Sequence, residues 1–183
     1  MQVVATFLGF QASWWILVLS ADHAATHVFA CGLAAVWTLV AKVRGHRRWR
    51  ELAGFAAGGW LAETLLQNLN LVAYVGEFKL HFAPQFTFSL PPLWLIALWY
   101  ILAVVALETP KFWLRLRSRW WLAPMAGALG GLSSYAPGPS LGALTWPQGP
   151  TLGLLAVASV WALACWVLVH RFSWSPHHDP PQH

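Results

Sequence analysis

Apolar residues fill most of the chain in long blocks divided by short polar or basic interruptions, and a helix needs about 20 such residues to cross ~30 Å of hydrocarbon. The blocks run from Gln2 to Ser20, Ala24 to Val43, Leu52 to Val75, Pro91 to Leu107, Leu122 to Ala136 and Thr151 to His170. They predict an all-α integral membrane protein, a bundle of six transmembrane helices of which the fifth is short and Gly-rich. Only Ala21, Asp22 and His23 separate the first two blocks, which therefore form a tight helical hairpin. The pair Pro91 and Pro92 falls in the first turn of the fourth block, where a missing N–H costs little. The stretch PGPSLGALTWPQGP after the fifth block holds too much Pro and Gly to stay helical. Between the third and fourth blocks, Gly76 to Ser89 reads as a loop of mixed charge and aromatics. The organisation that follows is a six-span domain over 1–172 and a disordered polar tail over 173–183.

Composition strengthens the membrane reading. Hydrophobic residues make up 58% of the 183-residue chain and charged residues 9%, against about 25% charged in soluble domains. The mean hydropathy is +0.54. A net charge of +5 does not point to nucleic acid, because the basic residues sit in short blocks between apolar segments rather than along one surface. Cys31 and Cys165 lie inside apolar blocks and read as small apolar residues. The first block has no basic residue before it and no small-x-small cleavage site after it, so it reads as a permanent span rather than a secretory signal.

The basic blocks set an orientation. Lys42, Arg44, Arg47, Arg48 and Arg50 follow the second span, and Lys111, Arg115, Arg117 and Arg119 follow the fourth. Lys and Arg concentrate in cytoplasmic loops, so both termini are expected on the cytoplasmic side. Of the 14 tryptophans, Trp49, Trp113, Trp120, Trp121 and Trp174 fall at that boundary and Trp94 and Trp146 near the opposite one, as in an aromatic belt. Gly54-x-x-x-Gly58 and Gly127-x-x-x-Gly131 carry the small-residue spacing that lets helices approach closely. Both are expected to pack within one subunit, with a homodimer face as the alternative.

Candidate chemistry gathers in the third block. A carboxylate at bilayer depth is costly and normally faces a polar partner or a water-filled cavity, so Glu63 is the candidate proton donor or acceptor. Gln67 and Asn70 follow it four and three residues on, which places all three on one helical face directed inward. Asp22, His23 and His27 lie at the same depth, at the outer hairpin, and the two histidines share a face. Gln11 is a second intramembrane polar group, which one helix-to-helix hydrogen bond would satisfy. The binding set is thus Gln11, Asp22, His23, His27, Gln67 and Asn70. Glu108, beside a basic loop, reads as a surface ion-pair partner. His177, His178, Asp179 and His183 in the tail could hold a metal, although a Pro-rich disordered end is the reading adopted. No phosphate loop, Gly-x-Ser-x-Gly elbow or haem motif occurs. No metal and no cofactor is expected, and catalysis is left open.

Several stretches together resemble a family of small bacterial inner-membrane proteins, the domain of unknown function 2878. They are Phe10-Gln11-x-x-Trp14, Glu63-Thr64-Leu65-Leu66, Pro92-Leu93-Trp94-Leu95-Ile96-Ala97-Leu98-Trp99, and Gly127-Ala128-Leu129-Gly130-Gly131 with Tyr135 and Leu141-Gly142-Ala143. The resemblance covers most of the chain in order. It departs where the family pattern expects an asparagine at Thr6, hydroxyl residues at Val104 and Val105, and an aspartate at Glu63, which implies a modified site. Members tend to be encoded near enzymes that modify membrane fatty acids, so the resemblance implies a lipid-related role in the bacterial inner membrane. The expectation is a protein that binds or modifies a membrane lipid or fatty acid at a polar intramembrane pocket. The alternatives are a small proton-coupled carrier and a structural or assembly subunit of a membrane complex. Expected partners are membrane lipids and, in the last case, a second copy or a complex partner.

Overall fold

The computed structural model describes residues 2–83 and 86–171. Among these are seven helices: α1 Gln2–Leu19, α2 Thr26–Val43, α3 Trp49–Asn68, α4 Trp94–Glu108, α5 Pro110–Arg117, α6 Leu122–Tyr135 and α7 Pro150–Arg171. Four short strands join them: β1 Ala73–Tyr74, β2 Phe78–Ala83, β3 Phe86–Leu90 and β4 Leu144–Thr145. The tail beyond Arg171, with its candidate metal set, lies outside the described residues.

The architecture is helical, and α4 is its centre. Of the 15 residues of α4, only Ile96 and Tyr100 escape full burial, because α1, α2 and α3 all pack against it. Leucine, alanine, valine and tryptophan all round its circumference suit a helix surrounded by other helices. α6 and α7 form a close pair beside this group. Both α2 and α7 are long and apolar enough to cross a membrane, and α4 and α5 meet the same measure together but bend by 86°. α1 is a shorter apolar helix, and α6 has 14 residues. The bend falls at Thr109, whose hydroxyl bonds back to the Val105 carbonyl at 2.7 Å while Pro110 opens α5. A proline disfavours helical geometry in the residue before it, so the sequence itself places the corner.

The third apolar block does not run as helix to Val75. α3 stops at Asn68, and Asn70 adopts φ 56°, a left-handed conformation that asparagine tolerates better than most residues. The Asn70 N–H bonds to the Gln67 carbonyl at 2.9 Å and the Leu71 N–H to the Leu66 carbonyl at 3.0 Å. This pairing closes a helix C-terminus. The same polar run that reads as an inward face on a long span thus ends the helix and turns the chain back.

Beyond that turn the expected loop is partly sheet. β2 and β3 pair antiparallel, from Phe78 opposite Leu90 to Ala83 opposite Phe86. Asn68 anchors this hairpin, donating to the carbonyls of Thr64 (2.8 Å) and Ser89 (2.7 Å) and accepting from the Ser89 N–H at 3.0 Å. Asn68→Ala should therefore cost about 1–2 kcal/mol and speed amide hydrogen exchange at Ser89 and across β3. Unchanged protection there would show that the hairpin is held by other contacts. β1 pairs with β4, Ala73 opposite Thr145 and Tyr74 opposite Leu144, so the broken stretch after α6 returns to the end of α3.

The two glycine pairs behave differently. A Cβ on Gly127 would lie 2.2 Å from the Trp161 carbonyl oxygen, and one on Gly131 2.7 Å from the Trp161 ring. That pair is consumed in packing α6 on α7. Gly54 and Gly58 meet nothing within 4 Å, so the expectation of packing within one subunit does not hold for them. Glu108 is also corrected: it is buried rather than at the surface, with His46 Nε2 at 3.1 Å and Arg44 Nε at 3.9 Å.

Candidate site around Glu63

Glu63 is fully buried, and both of its oxygens are occupied. The Tyr74 phenol donates to Oε2 and the Tyr135 phenol to Oε1, each at 2.5 Å. The three residues come from α3, β1 and α6, which only the fold brings together. The turn at Asn70 and the β1–β4 pairing carry Tyr74 back over α3, and the α6–α7 packing holds Tyr135 opposite. O–H donors on an ionised carboxylate are among the stronger hydrogen bonds in proteins, and here one carboxylate ties three elements together.

Aromatic rings enclose the group. Trp99 of α4 faces the Glu63 carboxylate, and its ring lies 5.1 Å from that of Trp161, which in turn meets Tyr135 edge-on at 6.2 Å. Beside them is a cavity of about 30 Å³, bordered by Trp14 of α1, Trp94 and Trp99 of α4, Trp161 of α7, Tyr74 and Tyr135. That volume accommodates one or two small polar groups of water size. The indole N–H of Trp94 is buried without a hydrogen-bond partner, and that of Trp161 faces the Tyr135 phenol without meeting hydrogen-bond geometry. Buried donors in native proteins are normally paired. The cavity is therefore lined by the two tyrosines that hold the Glu63 carboxyl group and by Trp94 and Trp161, whose indole N–H groups lack a hydrogen-bond partner.

The other predicted residues are distributed elsewhere. Gln67 is buried one turn beyond Glu63, its Nε2 donating to Glu77 Oε2 at 2.5 Å while its Oε1 has no partner. Glu77 also meets Lys79 at 2.8 Å. This hydrogen bond, and then the charge of Glu77, raises the pKa of Lys79 above its ordinary value. The lysine side of the pair accordingly stays charged through neutral pH and is neutralised as pH rises through that raised value. Asn70 is an exposed turn residue. Asp22 and His23 pair with each other at 3.5 Å on the surface. His27 lies 6.3 Å from the Phe78 ring and lines a groove of about 860 Å³ between α2 and α3, against a different face of α4 from the Glu63 cavity. Gln11 is exposed on α1. Of the binding set, Gln67 alone adjoins Glu63.

Tyr74, Tyr135, Trp94, Trp99, Trp161 and Glu77 complete the site and were not singled out by sequence. Tyr135, Trp94 and Trp99 had a signal, since they stand within the segments that carry the family resemblance. Tyr74 and Trp161 had none, because an aromatic residue in an apolar block reads as packing, and Glu77 read as part of a mixed-charge loop. Among the described residues no three His, Cys, Asp or Glu side chains converge as a metal site would require.

A family model described as a protein of unknown function (DUF2878) matches residues 3–167. No curated protein and no solved structure matches the chain.

Proposed function

The chain belongs to the DUF2878 family, and on that premise we propose that it is a six-span membrane protein that binds a lipid or lipid-like molecule and exchanges a proton with it at Glu63. The observation that carries this reading is the doubly phenol-bound carboxyl group beside a cavity with an unpartnered Trp94 donor. The carboxyl group can hold or release a proton, the phenols keep it placed, and the indole N–H can receive a carbonyl or hydroxyl oxygen. A cavity of about 30 Å³ admits only such a terminal group, so the apolar remainder of the ligand stays outside, in the bilayer.

In this reading α1, α2, α3, α4, α6 and α7 form the membrane bundle within 1–172, and 173–183 is a polar tail. α5 lies along the interface, since it leaves α4 at 86° and carries Lys111, Arg115 and Arg117. Arg44 and His46 meet Glu108 at the α4–α5 corner, so the basic loops gather at one end, which we assign to the cytoplasm. The hairpin and the α1–α2 turn occupy the other end, where Gly76 approaches Ala21. The bacterial inner membrane is the proposed location and membrane lipids the proposed partners.

The test is lipid profiling of a deletion strain complemented with wild type or with Glu63→Gln at matched protein abundance. A lipid species should be lost on deletion, return with wild type and stay absent with Glu63→Gln. An unchanged profile in the deletion strain would overturn the reading and favour the proton-coupled carrier, whose signature is pH-dependent solute flux in proteoliposomes.

A further inference from the structure

Glu63 is sealed from solvent by Tyr74 from β1, Tyr135 from α6 and Trp99 from α4. Any proton it exchanges with water must therefore travel along groups that hydrogen-bond. One series of side chains leads inward from the hairpin end. Side-chain exposure falls from 54% at Lys79 to 22% at Glu77, then to 3% for Gln67 and 0% for Glu63 as whole residues. The links are Lys79 Nζ to Glu77 Oε1 at 2.8 Å and Gln67 Nε2 to Glu77 Oε2 at 2.5 Å. Gln67 then follows Glu63 by one helical turn on the same face of α3.

The amide oxygen of Gln67 bears on the remaining step, from Gln67 to Glu63. Its Oε1 is buried with no partner, and buried acceptors of this kind are the usual positions of internal water. We propose that Glu77 and Gln67 form the proton-uptake route to Glu63, with Glu77 exchanging protons with solvent and Gln67 holding the water that spans the gap. This rests on the reading of Glu63 as the proton-exchanging group. The step balances as a relay. Glu77 gives its proton to the water, the water gives one to the Tyr74 phenol oxygen, and the phenol gives its own to Glu63 Oε2. One proton moves inward, each intermediate oxygen ends with the number it began with, and no other reactant is consumed. Gln67 does not titrate; it is a positioning residue that fixes both the Glu77 carboxylate and the water.

The route is tested by time-resolved infrared spectroscopy of the full chain in lipid after a pH jump, following the Glu63 carboxyl band. That band is identified by its loss in Glu63→Gln. Glu77→Gln, which keeps the shape and a hydrogen-bond acceptor for Gln67, should slow the band's change at least tenfold while leaving its final amplitude and the unfolding temperature unchanged. Gln67→Leu should slow it as much, and Glu77→Asp should restore part of the rate. Asp22→Asn, which removes an exposed carboxylate outside the route, should leave the rate as in wild type. Wild-type rates in both Glu77→Gln and Gln67→Leu would overturn the proposal, as would a Glu63 band that does not respond to pH. Lipid profiles indifferent to Glu63→Gln would instead sink the lipid reading and leave this result standing.

Discussion

Glu63→Ala should destabilise the fold by about 2–6 kcal/mol, since it leaves two buried phenol donors unpaired at about 1–3 kcal/mol each. The substitution does more than open a small void. It strands the phenols of Tyr74 and Tyr135, each of which donates its only O–H to a carboxylate oxygen at 2.5 Å. A buried polar group left unpaired costs about 1–3 kcal/mol. Tyr74→Phe and Tyr135→Phe, which remove one donor each and leave the carboxylate with the other, should each cost about 1.5–3 kcal/mol, as for hydrogen bonds to charged groups. Neighbours that share one acceptor rarely add, so the double variant should cost more than the sum of the two. Denaturant unfolding of the four variants in a common detergent measures this directly. A Glu63→Ala protein within about 1 kcal/mol of wild type would mean that the two phenols find other partners, since each stranded donor alone should cost that much. Strictly additive phenol deletions would mean that each holds Glu63 independently.

The same triad shows where the sequence stops being legible. Glu63 stands out because a carboxylate in an apolar block is costly unless paired. Its partners do not, because a tyrosine among leucines and alanines is equally well explained as packing. Their convergence depends on the turn at Asn70 and the pairing of β1 with β4, and neither leaves a periodic pattern in the chain. Gln67 and Asn70 mislead for a definite reason. At helical spacing from Glu63 they describe one polar face, yet the fold uses each of them differently. Gln67 holds Glu77, and Asn70 supplies the left-handed turn.

The β2–β3 hairpin is a different case, since its signal is in the sequence. Phe78-Lys79-Leu80-His81-Phe82 and Phe86-Thr87-Phe88-Ser89-Leu90 both alternate apolar and polar residues with period two, the mark of a strand. Dividing the chain by hydrophobic length alone passes over it. The boundaries of α2, α4 and α7, by contrast, fall within a few residues of the apolar blocks. There a long apolar run, helix formation and burial all require the same thing. Sequence is most legible where those demands coincide. It is least legible around Glu63, where a distant strand and another helix decide what the carboxyl group touches.

Gly127→Ala should produce the second large effect, and Gly54→Ala its opposite. Alanine in place of glycine inside a helix is favourable by about 1 kcal/mol when nothing else changes. That is the expected gain at Gly54, whose added Cβ meets nothing within 4 Å. At Gly127 the added Cβ would fall 2.2 Å from the Trp161 carbonyl oxygen and 2.9 Å from the Cys165 Cβ. A backbone oxygen inside a helix cannot swing aside as a side chain can, so α6 and α7 must separate. Overpacking of this kind costs about 1–3 kcal/mol and sometimes more, and the upper end is expected here because the clash is with backbone. The damage should reach the site as well. Tyr135 lies on α6 and Trp161 on α7, in edge-on contact at 6.2 Å, so helices that move apart draw the phenol away from Glu63 Oε1. Thermal unfolding should therefore place Gly127→Ala below wild type and Gly54→Ala at or above it. The Glu63 carboxyl band should shift only in the Gly127 variant, and a band shift without loss of stability would show that the two helices yield more easily than their packing implies.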